Sequence, residues 1–313
     1  MYYNLAVHAG DTIRVKLAQP IASSTNAAAR YVSCLRLQEI LVLQGSPMLG
    51  AACALRQPAA EYMWPLAILV AANLCLVAHI FVVNDWSNFS ADLTDSNKAA
   101  DVFTARGVDP KEMGGLAAAL LGVSLVLFGR FGPATLSIAV GIATLSGLYS
   151  LPPFSWKGRP LLNSAAHVAG GALHFLLGYS LGHVIDRRGL LIATFFAVTF
   201  AAGHLTQELR DYDGDVRNGI RTNAVIFGKR RTFAASLALF TLSHALLLVL
   251  NLQGMLPRVL AVLVVLCPIH LRWSIQALRE GLMFASICRL QARYRTLYAV
   301  IGLAVIAALW MKL

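Results

Sequence analysis

From residue 37 onward the chain alternates long apolar stretches with short polar ones, and that alternation limits what it can fold into. Nine stretches stand out: 37–55, 64–83, 115–131, 133–150, 163–184, 189–207, 232–252, 255–271 and 296–312. Several approach the ~20 residues a helix needs to cross a bilayer. The shorter ones depend on tight breaks at Gly132-Pro133 and between Gly254 and Pro257. The first is the most polar, holding Glu39 and Gln44. Of the 313 residues, 58% are hydrophobic and only 13% charged, about half the charged share of a soluble domain. The expectation is an all-α polytopic membrane protein: a bundle of nine transmembrane helices around a central cavity over residues 37–313. Residues 1–36 are expected to form a cytoplasmic extramembrane arm. Asp11, Arg14 and Lys16 precede any long apolar run, so no cleavable leader is expected.

The formal charge of +11 does not point to nucleic acid, because no Lys/Arg-rich tail or aromatic-basic interleaving accompanies it. Basic residues in such a chain mark cytoplasmic loops and anionic headgroups. With nine spans, the N-terminal arm and every second loop carry 20 of the 26 basic residues. Only Arg56, Arg130, Arg187, Arg188, Arg258 and Lys312 fall on the other side. This bias assigns the N-terminus to the cytoplasm. Cys34, Cys53, Cys75, Cys267 and Cys288 show no CxxC spacing and read as small buried hydrophobes.

Two acidic clusters carry the chemistry. The first, Asn84-Asp85-Trp86-Ser87-Asn88-Phe89-Ser90-Ala91-Asp92, closes the run Trp64–Val83. On a helix Asn84, Asn88 and Asp92 recur every four residues, with Asp85 beside them. The second, Asp211-Tyr212-Asp213-Gly214-Asp215, closes the run 189–207, with Asp211 and Asp215 facing the same way. An even number of spans separates the clusters, so both are expected on the cytoplasmic side. Converging oxygen ligands suit Mg²⁺, which commonly completes its shell with substrate phosphates. A diphosphate between the clusters would be met by the basic residues Lys157, Arg159, Arg217 and Arg221, and Arg36 could also reach it. The loop Tyr149-Ser150-Leu151-Pro152-Pro153-Phe154-Ser155-Trp156-Lys157 is expected to leave the membrane extended, aiming Tyr149, Ser150 and Lys157 at the same face. An apolar membrane cavity beneath would accept a long isoprenoid tail and shield an allylic cation from water, with Tyr149, Phe175 or Trp86 offering π faces. His167 and His174, seven residues apart on one helix face, are candidates for an acceptor or prenyl pocket or for helix–helix hydrogen bonding. His79 and His204 precede the two clusters, and the Gly170-Gly171 pair reads as close helix packing.

These residues resemble the UbiA superfamily of intramembrane prenyltransferases, which includes the 4-hydroxybenzoate polyprenyltransferases. Its NDxxDxxxD motif is matched by Asn84, Asp85, Asn88 and Asp92. Its DxEGDxxxGxxT motif is matched by Asp211, Asp213, Gly214, Asp215, Gly219 and Thr222. Its YxxPP…K loop is matched by Tyr149 to Lys157. The likeness runs from about residue 35 to the end. It implies a nine-helix bundle, Mg²⁺ dependence and transfer of a prenyl group from its diphosphate to an acceptor, an aromatic or quinone-precursor ring. It further implies that Asn84, Asn88, Asp92, Asp211 and Asp215 bind the Mg²⁺–diphosphate, with Tyr149, Ser150 and Lys157 beside it. Asn88 stands where the family usually has Asp, and Asn97–Gly107 replaces the Arg-Pro-rich loop of many members. Two other outcomes fit the same clusters: a terpene cyclase of the superfamily acting without acceptor, and an ion-coupled transporter, whose sites usually lie nearer mid-membrane.

Overall fold

The structure is a computed structural model that describes residues 27–55, 59–94, 99–182 and 184–311. Residues 1–26 of the expected arm lie outside the described residues. Among the described residues the chain is all-helical. Its α-helices are α1 (Ala27–Ser33), α2 (Leu37–Val42), α3 (Gly45–Leu55), α4 (Met63–Thr94), α5 (Pro110–Gly129) and α6 (Pro133–Ser150). They continue with α7 (Leu162–Tyr179), α8 (Arg187–Arg217), α9 (Asn223–Phe227), α10 (Lys229–Leu252), α11 (Cys267–Arg279) and α12 (Phe284–Trp310). A 3₁₀ stretch, Arg258–Leu266, leads into α11.

Seven helical stretches are long and apolar enough to cross a membrane: Ala60–Thr94, Pro110–Gly129, Pro133–Ser150, Arg187–Arg217, Lys229–Leu252, Arg258–Arg279 and Phe284–Trp310. Two of the nine expected spans are not among them. The stretch 37–55 breaks at Leu43-Gln44 into the short helices α2 and α3, and α7 carries Asn163, His167 and His174 in its apolar sequence. Both α4 and α8 run past the apolar residues that were expected to bound them, by 11 and 10 residues. The acidic clusters are therefore the last turns of two long helices rather than separate loops.

Local chemistry explains the main boundaries. Asp109 caps α5 through a reciprocal capping box with Glu112, and Pro110 occupies the first turn where its missing N–H costs nothing. Gly132 takes φ 100°, a conformation that favours glycine, and lets α6 start at Pro133. Asp186 caps α8 by accepting the Gly189 amide at 2.8 Å, and it also accepts the Tyr179 hydroxyl at 2.9 Å. The expected breaks at Gly132-Pro133 and after Leu252 are thus present. The paired prolines do not give an extended exit: the Phe154 and Ser155 amides both donate to the Leu151 carbonyl, at 3.0 and 2.9 Å, and the loop turns tightly instead.

A large apolar core joins α3, α4, α6, α7, α8, α10 and α12 through residues such as Leu69, Leu76, Phe175, Leu177 and Ile192. All five thiols are unbridged, and Cys34 and Cys53 are buried. The α3–α7 crossing is the tightest contact. A Cβ on Gly178 would lie 1.7 Å from the Pro47 carbonyl oxygen, and one on Gly50 would lie 2.1 Å from that of Phe175. Small residues let the backbones touch, the usual basis of close helix association in membranes. Gly171 does the same toward α8, its Cβ position 2.6 Å from the Phe196 oxygen, whereas Gly170 meets nothing within 4 Å. Gly178→Ala should therefore force α3 and α7 apart and cost about 1–3 kcal/mol, visible as a lowered thermal midpoint in detergent. Gly122→Ala, with no atom within 4 Å, should leave the midpoint within scatter. Equal midpoints for the two variants would contradict the close contact.

Candidate functional site

The two acidic helix ends meet. Asn218, the C-cap residue of α8, donates from Nδ2 to the Ala91 carbonyl at 3.3 Å and to the Gly214 carbonyl at 3.0 Å. Its Oδ1 accepts the Thr94 hydroxyl at 2.9 Å. One amide thus ties the last turn of α4 to the last turn of α8. Beside this junction opens a cavity of about 730 Å³. Asn84, Asp92, Asp211 and Asp215 line it, as do Tyr149, Ser150 and Lys157 from the α6–α7 connection. Asn84 Nδ2 donates to Ser150 Oγ at 3.3 Å, which joins the first cluster to that connection. Asp215 is 4% exposed, while Asp92 and Asp211 are half-buried.

Other expected residues sit elsewhere. Asp85 does not line the cavity; it binds Arg36, whose Nε donates to Oδ2 at 3.1 Å and whose Nη2 donates to Oδ1. Burial opposes the charge on Arg36, but Asp85 outweighs it and holds the guanidinium above its ordinary pKa. Arg36 itself lines the cavity. Asn88 turns its Nδ2 to the Asn84 carbonyl at 2.7 Å and lies off the cavity. Asp213 is exposed and pairs with Lys229 at 3.4 Å. Arg159 and Arg217 are exposed and off the cavity wall. Arg210 lines the wall and pairs with Asp211, Nε to Oδ1 at 3.0 Å. Trp86 packs on Gly114 of α5 rather than facing the cavity, and His79 donates from Nδ1 to the Ala117 carbonyl at 2.8 Å.

His167, His174 and His204 all line the cavity. His167 and His204 stack with ring centroids 3.7 Å apart and planes 10° apart, and the Tyr149 ring meets His167 edge-on at 5.0 Å. Beneath them lies a group the sequence did not single out. Glu208, 4% exposed, accepts the Asn163 amide at 2.5 Å and the Asn223 amide at 3.0 Å on Oε1, and the Ala224 N–H at 3.0 Å on Oε2. Asn163 also donates to the Lys157 carbonyl at 3.2 Å, so the network carries the α6–α7 connection. One signal was available: Glu208 follows an apolar run and stands one turn after His204, in a chain with only 15 acidic residues. The wall also holds Glu39, Gln207, Gln291 and Arg295, and toward the opposite helix ends it is apolar, with Ile192, Phe196, Leu247, Leu250 and Val305.

A helical membrane protein with a half-acidic, half-apolar cavity is the class these features define. The comparisons make it specific. The model of the UbiA prenyltransferase family matches residues 46–281, and the chain belongs to that family. It is therefore a prenyltransferase, an enzyme that transfers isoprenyl groups. The fold is shared with a UbiA homologue from Archaeoglobus fulgidus bound to GPP and Mg²⁺, at 15% identity and TM-score 0.64, over 89% of this chain and 99% of that one. The structure of digeranylgeranylglyceryl phosphate synthase is similar at 17% identity and TM-score 0.69, over 91% and 99%. The apo structure of a UbiA homologue from Aeropyrum pernix K1 is similar at 16% identity and TM-score 0.67, over 87% and 98%. No curated protein sequence matches.

The Arg36–Asp85 pair predicts a coupled effect. Arg36→Ala and Asp85→Ala should each lower stability, and the double variant should be no worse than either, with a coupling on the order of 1 kcal/mol in a double-mutant cycle. Additive losses would show that Arg36 and Asp85 act apart.

Proposed function

We propose that the cavity binds an isoprenyl diphosphate, with the diphosphate at the Asp92, Asp211 and Asp215 end and the hydrocarbon tail among the apolar side chains. The isoprenyl group then moves to a hydrophobic acceptor, an aromatic or quinone-precursor ring. The asymmetry of this one cavity carries the reading: Asp92, Asp211 and Asp215 gather with Asn84, Ser150 and Lys157 at one end, and aliphatic and aromatic side chains such as Ile192, Phe196, Leu247 and Val305 line the other.

The donor set fits Mg²⁺. Asn84, Asp92, Asp211 and Asp215 offer only hard oxygen ligands on the wall of one cavity. Among the described residues no three His, Cys, Asp or Glu side chains form a ready-made metal cage. Mg²⁺ takes few protein ligands and completes its shell with phosphate oxygens and water. Asn84, Asp92, Asp211 and Asp215 would hold the ion, which would supply positive charge against that developing on the diphosphate leaving group. Lys157 and Ser150 donate to the remaining phosphate oxygens. Arg159 and Arg217 act at longer range, drawing the anion toward the mouth. Arg36 serves the same mouth while holding Asp85. Asp85 and Asn88 support the ligand helix from behind Asn84. Tyr149 offers its ring to the allylic cation, the apolar walls keep water from it, and His167 and His174 face the acceptor or the tail. The bilayer is the remaining partner. We read the broken α2–α3 stretch and α7 as two further crossings, making nine, with the N-terminus and the acidic mouth cytoplasmic by the bias of basic loops.

Asp92→Ala and Asp215→Ala should each lower Mg²⁺-dependent release of diphosphate from geranyl diphosphate by roughly a hundredfold or more, with unchanged elution in detergent. Chelation should abolish release and added Mg²⁺ restore it. A wild-type rate in either variant would remove the metal assignment.

A further inference from the structure

Between the acidic mouth and the apolar depth, the cavity wall presents a row of acceptors. The Nδ1 of His167 lies 2.8 Å from the Asn163 carbonyl oxygen, which can only accept. The ring proton therefore sits on Nδ1, and Nε2 carries a lone pair. His174 repeats the arrangement two turns further along α7. Its Nδ1 donates to the Gly170 carbonyl at 2.9 Å, and its buried Nε2 has no hydrogen-bond partner. Both rings line the cavity. Glu208 shares this wall and accepts from two amides and one backbone N–H, while His204 Nε2 stands 3.1 Å away without a hydrogen bond. Three donors from α7 and α9 hold this carboxylate in one place. It fixes Asn163, whose carbonyl sets the His167 tautomer, and His204 stacks on the His167 ring to hold its plane.

A wall of lone pairs is satisfied by a ligand that brings the donor. We propose that His167 Nε2 is the subsite for a hydroxyl of the acceptor ring, that Glu208 is the positioning residue behind it, and that the acceptor brings no anionic substituent to this wall. The inference rests on the prenyl-transfer reading above. A hydroxyl donating to Nε2 is a stronger electron donor into its own ring, as attack on an allylic cation requires. A carboxylate in the same place would bring no donor to either lone pair.

The test gives purified full-length protein geranyl diphosphate, Mg²⁺ and one of three rings: hydroquinone, 1,4-dimethoxybenzene or benzoate. Diphosphate release should accelerate with hydroquinone by roughly tenfold over either of the others, the effect of one unmet hydrogen bond. His167→Phe should abolish the acceleration, and His167→Gln, whose amide oxygen can accept, should return part of it. Glu208→Gln should raise the KM for hydroquinone by a larger factor than that for geranyl diphosphate. Equal acceleration by hydroquinone and its ether, none by hydroquinone, or an undiminished response in His167→Phe would overturn the subsite. If a variant fails to fold, the three-ring comparison on the native protein decides alone. No Mg²⁺-dependent release from the native protein, with or without a ring, would instead overturn the prenyl-transfer reading beneath it.

Discussion

A carboxylate buried between helices decides how this end of the bundle is assembled. Glu208, on α8, collects donors from the start of α7 and from α9. In a low-dielectric interior such a network is stable only when every member is satisfied. Asn223 Nδ2 also donates to Asn163 Oδ1 at 2.8 Å, and the Leu161 amide donates to Asn223 Oδ1 at 2.8 Å. Lys157, Tyr149 and the end of α8 thereby share one frame, and the acidic face of the cavity is built on it.

The opposite end follows different physics. There Arg188 spends its donors on the carbonyls of Met255 and Cys53, at 2.8 and 3.0 Å, linking α8 to α3 and to the turn after α10. Backbone carbonyls at helix ends lack intrahelical partners, and a guanidinium meets them with several donors at once. The walls between these ends are held by area burial and by the glycine contacts at Gly50 and Gly178. Polar bonding at both mouths and apolar packing between them give the cavity its two characters.

Much of this was legible in the sequence because membrane solvation leaves a strong periodic trace. The positions of α5, α6 and α10 follow from apolar runs and from Gly132, Pro133 and Gly254, whereas α12 starts at Phe284, well before the apolar run 296–312. The convergence of Asp92 with Asp211 and Asp215 followed from counting crossings. Hydropathy misjudged two things. It ended α4 and α8 where their apolar residues ended, although a helix continues as long as its backbone bonds do. It also said nothing of pairwise choices: Asp85 selects Arg36, Trp86 selects Gly114, and Glu208 selects two asparagines distant in the chain. Such choices depend on rotation about the helix axis and on crossing angles, which residue spacing leaves open. The Pro152-Pro153 turn was missed for a related reason, since proline fixes its own φ but not the carbonyl that gathers the following amides.

The Asn218 amide has one more implication. It grips main-chain carbonyls, those of Ala91 and Gly214, and not the acidic side chains themselves. Carboxylates gathered at one mouth repel one another, and a flexible junction would splay whenever no cation stood between them. Because the two helix ends are clipped backbone to side chain, that repulsion is resisted by the scaffold. Little rearrangement is then needed between one turnover and the next, and the reorganisation energy that an enzyme of this chemistry must keep small is met while the protein folds.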